Sequence, residues 1–235
     1  MKLAIMQPYF LPYIGYFQLI SAVDVFVIYD NIKYTKKGWI NRNRIIQNGR
    51  DGVFSLPLKK DSDSLDVVHR RLSNDFYREK LLNQFRGAYS RAPYFRQIFP
   101  LLERIVHCKE VNLFHYIHHS VVEICDYLDI ATEIRIASEV SADHSLKAEE
   151  KVIKLCQALE ASTYINAIGG FELYSKENFQ KSSIVLQFLK SAPFEYSQFE
   201  NQFIPWLSII DVLMFNSLSE IKGKVLKNYY LVDAN

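Results

Sequence analysis

Lys2-Leu3-Ala4-Ile5-Met6-Gln7-Pro8-Tyr9-Phe10-Leu11-Pro12-Tyr13-Ile14-Gly15-Tyr16-Phe17-Gln18-Leu19-Ile20 decides how the rest of the chain is read. Residues 2–6 form a short apolar run of strand character. Pro8 and Pro12 each remove a backbone donor and fix φ, so 7–12 can neither extend the strand nor enter a helix. From Tyr13 the apolar spacing becomes that of a helix start, and Asp24 to Tyr29 is a second apolar strand. Strand, tight loop, helix with a glycine in its first turn, strand: this order opens a nucleotide-binding α/β unit. There the free N–H groups and positive dipole end of a helix face an anion at the carboxyl end of the first strand.

Working outward, Asp30 to Arg44 is polar and basic. The runs Ile45-Ile46 and Val53 to Leu58 flank Gln47-Asn48-Gly49-Arg50-Asp51-Gly52, whose Asn-Gly signals a hairpin. Residues 76–129 read as three helices, the last capped by Asn112. Glu133–Ile136 is a strand, Ser145–Leu159 an amphipathic helix with an acidic start, Thr163–Asn166 a strand, and Ile184–Phe188 another. Pro205 is placed in the first turn of a helix running to Phe215. The expectation is a single α/β domain over 1–235, with a doubly wound, mainly parallel sheet of about five strands. It carries a hairpin decoration at about 40–60 and a helical insertion at about 76–129.

Composition narrows the function classes. Of 235 residues, 49% are hydrophobic and 23% charged, which argues against long disordered stretches. A net charge of +2 gives no global field for nucleic acid or an anionic membrane. Cys108, Cys125 and Cys156 lack metal or redox spacing and read as reduced thiols, and no window has the apolar length to span a bilayer. A cytoplasmic protein is expected. Fifteen Tyr and sixteen Phe supply the flat walls that sugar or base recognition uses.

Four constellations carry possible chemistry. Gln7 and Tyr9 with Tyr13, Gly15 and Tyr16 occupy the loop after the first strand. Tyr13-Ile14-Gly15-Tyr16 parallels the HxGH signature of nucleotidyltransferases and ATP-using ligases, with tyrosines where histidines would hold phosphates. Asp30 ends the second strand, where a carboxylate can hold a ribose hydroxyl or act as a base, and Lys37, Asn41, Arg42 and Arg44 follow with groups suited to phosphates and sugar hydroxyls. Gly169 and Gly170, with Tyr174, follow a later strand; paired glycines permit φ > 0. Ser208 and Asp211 sit three apart near a helix start and would share a face, Ser208 as a substrate-binding and Asp211 as a catalytic candidate; for Trp206 and Leu207 beside them capping and core packing are the plainer account. His115, His118 and His119 read as ordinary helix histidines, since no carboxylate or cysteine stands beside them at ligand spacing, and no metal site is expected.

Taken together, Gln7 to Ile20, Asp30 with Tyr34, Trp39-Ile-Asn-Arg-Asn-Arg44, Gly169-Gly170 with Tyr174, and Phe203 to Asp211 resemble the WbqC-like family of bacterial proteins. The resemblance implies a place in surface-polysaccharide (O-antigen) sugar biosynthesis. It does not by itself supply a catalytic residue. On this basis the chain is expected to act on a nucleotide-linked sugar, with an acyl or aminoacyl transfer to a sugar amine. In that picture Arg42 and Arg44 clamp a diphosphate, the tyrosines wall the sugar, and Asp30 or Asp211 is the base. ATP with magnesium is the cofactor an activation step would use, a charged tRNA would be the one nucleic acid involved, and a homodimer is allowed. The alternative is a non-catalytic nucleotide-sugar or partner-binding protein of the same assembly system.

Overall fold

A computed structural model describes residues 1–62, 64–200 and 202–234. Strands β1 (Lys2–Met6) and β2 (Val25–Ile28) flank helix α1 (Ile14–Ser21). An antiparallel hairpin, β3 (Arg42–Gln47) and β4 (Arg50–Ser55), follows, then helices α2 (Arg78–Tyr89), α3 (Phe95–Val106) and α4 (Leu113–Tyr127). Next come β5 (Glu133–Ile136), α5 (Ala148–Ala158), β6 (Thr163–Ala167), α6 (Lys176–Lys181), β7 (Val185–Ser191), α7 (Ile209–Phe215), α8 (Leu218–Gly223) and β8 (Tyr229–Asp233).

The main sheet has six strands in the order β5-β2-β1-β6-β7-β8. The first five are parallel, and β8 closes one edge antiparallel to β7. β1 is central, with the chain winding first to one side of it and then to the other, so a switch point lies between β1 and β6. Alternation along the strands divides the core in two. Ala4, Phe26, Ile28, Ile165 and Leu189 face a cluster shared with α1 to α4, the hairpin, α7 and α8. Leu3, Ile5, Val25, Val27, Leu186 and Phe188 face a second cluster with Val152, Leu155 and Cys156 of α5 and Phe179 of α6.

Three sequence expectations need correcting. The sheet has six strands rather than about five, because Tyr229–Asp233 lies at an edge with both faces largely exposed and lacks an apolar alternation. The helix expected from Pro205 begins at Ile209. Trp206 sits at φ 62°, outside helical backbone, and Ser208 is the N-cap. The Gly169-Gly170 pair does not use positive φ; the segment Ile168–Leu173 is a 3₁₀ turn. A Cβ on Gly170 would lie 2.4 Å from the Asn166 amide nitrogen, so close approach is what the position requires. Asn112 caps α4 as expected, accepting from the His115 N–H at 3.2 Å. No helix among the described residues is long and apolar enough to cross a membrane.

Candidate functional site

The loop after β1 is held by a set of polar staples. Asn43, buried on one face of β3, donates through its amide to the Leu11 carbonyl at 2.9 Å. Ser208 Oγ donates to the same carbonyl at 2.7 Å, the Ile209 N–H bonds the Pro12 carbonyl, and the Ser208 N–H bonds the Arg44 carbonyl. Leu11 is thereby fixed at φ 46°, a left-handed conformation that an L-residue adopts only when its surroundings impose it. Asn41 is likewise buried, accepting from the Tyr34 hydroxyl and donating to the Leu56 carbonyl. The segment Asn41-Arg42-Asn43-Arg44 thus splits by strand alternation, with both asparagines inward and both guanidiniums outward.

Outward, the guanidiniums of Arg42 and Arg44 lie 5.3 and 5.7 Å from the Trp39 ring centroid. Arg44 also pairs with Asp51 at 3.0 Å and donates to the Trp206 carbonyl at 3.3 Å. Arg42 donates to the carbonyls of Lys37 and Gly38, so it also shapes the loop beneath Trp39; the Lys37 side chain is exposed. Opposite, Tyr13 meets Trp206 edge-on at 5.7 Å. Tyr9, Pro12, Tyr13, Trp39, Asn43, Arg44 and Trp206 enclose a cleft of about 280 Å³. The chain has two tryptophans, and both stand here, 43% and 61% exposed. Large rings left in water around a concave surface bearing cations are suited to stacking a flat or apolar-faced ligand that carries negative charge.

The expected site residues separate under this geometry. Tyr9, Tyr13 and Arg44 line the cleft. Gln7 is exposed beside it, its side chain accepting from the Tyr9 hydroxyl at 3.3 Å. Tyr16 is buried, its hydroxyl bonded to the Gln7 carbonyl at 3.0 Å, so the second tyrosine of the HxGH-like run is a packing residue. Gly15 admits the Tyr13 ring against the helix, since a Cβ there would fall 2.3 Å from it. Burial raises the hydroxyl pKa of Tyr9 and Tyr13, keeping both rings neutral donors.

Asp211 lies elsewhere. Fully buried in α7, it accepts from Tyr89 (2.8 Å), Tyr196 (2.8 Å) and Gln198 (2.7 Å). Burial raises its pKa and those three bonds oppose the rise. Asp30 is also buried; one carboxylate oxygen accepts from the Ser138 N–H at 2.9 Å and the other has no hydrogen-bond partner among the described residues. Tyr174 joins Tyr29 and Lys151 at a second cavity, beside the turn that holds exposed Gly169 and buried Gly170. Among the described residues no group of three or more His, Cys, Asp or Glu is placed to hold a metal ion.

Sequence reading missed Asn43 as a staple and missed that Trp39 and Trp206, far apart in the chain, share one cleft. It also missed Lys151. That residue stands on the apolar side of α5, one turn before Leu155, and a lysine in an apolar register is the signal that would have found it.

A family model described as the WbqC-like protein family matches residues 7–223. An uncharacterized protein of Mycobacterium tuberculosis (strain ATCC 25618 / H37Rv), Rv1507c, is 30% identical over 218 residues, covering 92% of this chain and 93% of that protein. No solved structure matches.

Proposed function

The chain belongs to the WbqC-like protein family, and from that premise we propose that it acts on a nucleotide-linked sugar in surface-polysaccharide (O-antigen) biosynthesis. The observation that carries the reading is the cleft after β1. Both tryptophans, two neutral tyrosines and Arg44 converge there on a backbone held in a left-handed conformation at Leu11 and Trp206. Aromatic faces stack on the apolar face of a sugar or on a base, and a guanidinium pairs with phosphate. The strand order, renumbered along the chain as 3-2-1-4-5-6 with the last strand reversed, supports a Rossmann-like or HUP-like unit over one domain, in which ligands bind at the carboxyl ends of the strands.

Within that reading an acyl or aminoacyl group passes from an activated donor to a sugar amine, the C–N bond forming as the donor's acyl–leaving-group bond breaks and the leaving group departs with the spent donor, with Asp30 as the base that takes the amine proton. Its unpartnered oxygen supports this role better than Asp211, whose oxygens already hold three donors. The burial of both carboxylates favours a second reading, a non-catalytic binder of the same ligand.

A calorimetric and thermal-shift panel of UDP-, GDP- and dTDP-sugars tests both. A ligand at a hundred times its Kd adds about 2.7 kcal/mol of stability. Binding to the wild type that drops at least tenfold in Arg44→Ala and Trp39→Ala is the expected result. Silence across the panel, or unchanged binding in those variants, overturns the proposal. Product formation with an acyl donor, abolished in Asp30→Asn, separates enzyme from binder.

A further inference from the structure

On the side of the second apolar cluster, a cavity of about 590 Å³ opens between the end of β2 and the first turn of α5. Lys151 lines it and is only 7% exposed. Its ammonium donates to the Asn31 side-chain oxygen at 2.9 Å and the Asn31 carbonyl at 3.3 Å, and lies 5.2 Å from the Tyr29 ring centroid. All of these partners are neutral. Among the described residues Lys151 makes no ion pair. Glu149, on the same wall, is engaged by the Ser175 N–H and the Asn178 amide. His144 is engaged too, with the Asn31 amide on one ring nitrogen and the Val140 carbonyl on the other.

A lysine so largely covered, with no anionic partner among the described residues, is costly, and it faces space that a small molecule can enter. Burial lowers its pKa, and Asp66 and Asp30 oppose the fall from beyond ion-pair distance. Lys33 and Lys147 stand exposed at the rim, adding positive charge against Asp66 and Glu149. The walls are flat and apolar: Tyr29, Tyr174, Ile32 and Leu173.

We propose that this cavity is a second ligand site that takes a small organic anion, phosphate or carboxylate, with Lys151 as the anchoring cation and Tyr29 and Tyr174 as walls for its body. The site stands on its own geometry and does not depend on the reading of the other cleft.

Phenyl phosphate and benzoate share a ring and differ in the anionic head, which makes them suitable calorimetric probes of the full chain. At least one binds the wild type. Lys151→Met lowers that affinity at least tenfold, and Lys147→Glu, an exposed change that leaves the core untouched, lowers it about threefold. Trp206→Gly, in the other cleft, leaves it unchanged. The stronger probe tells phosphate from carboxylate recognition. Absence of binding by both probes overturns the site, as does binding to Lys151→Met at wild-type strength or equal weakening by Trp206→Gly. If no nucleotide sugar binds while a probe still depends on Lys151, the preceding reading falls and this one stands; the reverse pattern removes only this one.

Discussion

The cleft after β1 and the buried cluster around Asp211 are built from the same materials, tyrosines with a charged group and amides, and they do opposite things. Around Asp211 three donors aim at one carboxylate: Tyr89 and Gln198, both buried, and half-buried Tyr196 all bond it. In the cleft the amides are turned inward to hold the loop, while the rings and Arg44 face water. Residue type is therefore a poor guide to role in this molecule. What separates the two regions is access: the donors to Asp211 are spent on a carboxylate inside the fold, whereas Arg44, though paired with Asp51 and the Trp206 carbonyl, holds its guanidinium at a cleft that a ligand can enter.

The largest effect that can break this contrast is removal of Asp211. Asp211→Ala leaves the hydroxyls of buried Tyr89 and half-buried Tyr196 and the Gln198 amide facing a cavity, and each lost bond to a charged group is worth about 1.5–3 kcal/mol. We expect a loss of at least about 3 kcal/mol, a fall in melting temperature of roughly 6–12 °C for a chain of this size. A folded, equally stable Asp211→Ala protein that had lost only activity would put Asp211 in the chemistry and dissolve the distinction.

Trp206 gives the complementary test. As an L-residue at φ 62° it bears a conformational cost of about 1–2 kcal/mol that glycine does not, against about 0.5–1 kcal/mol of added backbone entropy loss. Trp206→Gly is expected to melt at or slightly above the wild-type temperature while binding of a nucleotide sugar falls at least tenfold. Loss of stability without loss of binding would make the exposed ring a packing element.

Ser208 joins the two regions, since it caps the helix that carries Asp211 and fixes the loop that carries Tyr9 and Tyr13. Ser208→Ala removes the cap and frees the Leu11 carbonyl, at a cost of about 1–2 kcal/mol. Ligand affinity should fall with it, because Leu11 loses one of the bonds that hold its left-handed backbone. Unchanged affinity in the variant would show that Asn43 and the backbone bonds at Pro12 and Arg44 set the loop without the hydroxyl.

Much of the fold was legible because its signals are local. Pro8 and Pro12 end β1, Asn48-Gly49 turns the hairpin, Asn112 caps α4, and apolar alternation marks the parallel strands. The edge strand β8 was not, for its pairing partner rather than its own pattern makes it a strand. The site was legible only in part. Tyr9 and Tyr13 stand out by position after a strand and Arg44 by its place in a basic run, but whether Asn41 faces inward or Tyr16 is walled off depends on contacts across the chain. Trp206 joins Trp39 through the Arg44 backbone and the turn before α7, and no spacing rule encodes that meeting.

Lys151 sharpens the contrast from a third direction, since it is buried, though less completely than Asp211, and among the described residues lacks an opposite charge within ion-pair distance. Its pKa is lowered in the folded state, chiefly by burial, whereas in the unfolded chain it returns to the ordinary lysine value. Between those two values the unfolded chain binds more protons than the folded one, so stability rises as pH climbs through that window. The groups around it, Asp66, Asp30, Glu149, Lys33, Lys147, His144, Tyr29 and Tyr174, remain in the variant Lys151→Met, and the difference between the two proteins isolates the lysine. Chemical denaturation from pH 7 to 10 should show the wild type gaining on Lys151→Met toward the alkaline end. A gap that stays constant, or narrows in the wild type's disfavour, would mean that the ammonium is well compensated where it stands. Lys151 would then belong with Asp211 among the groups whose partners the fold already provides.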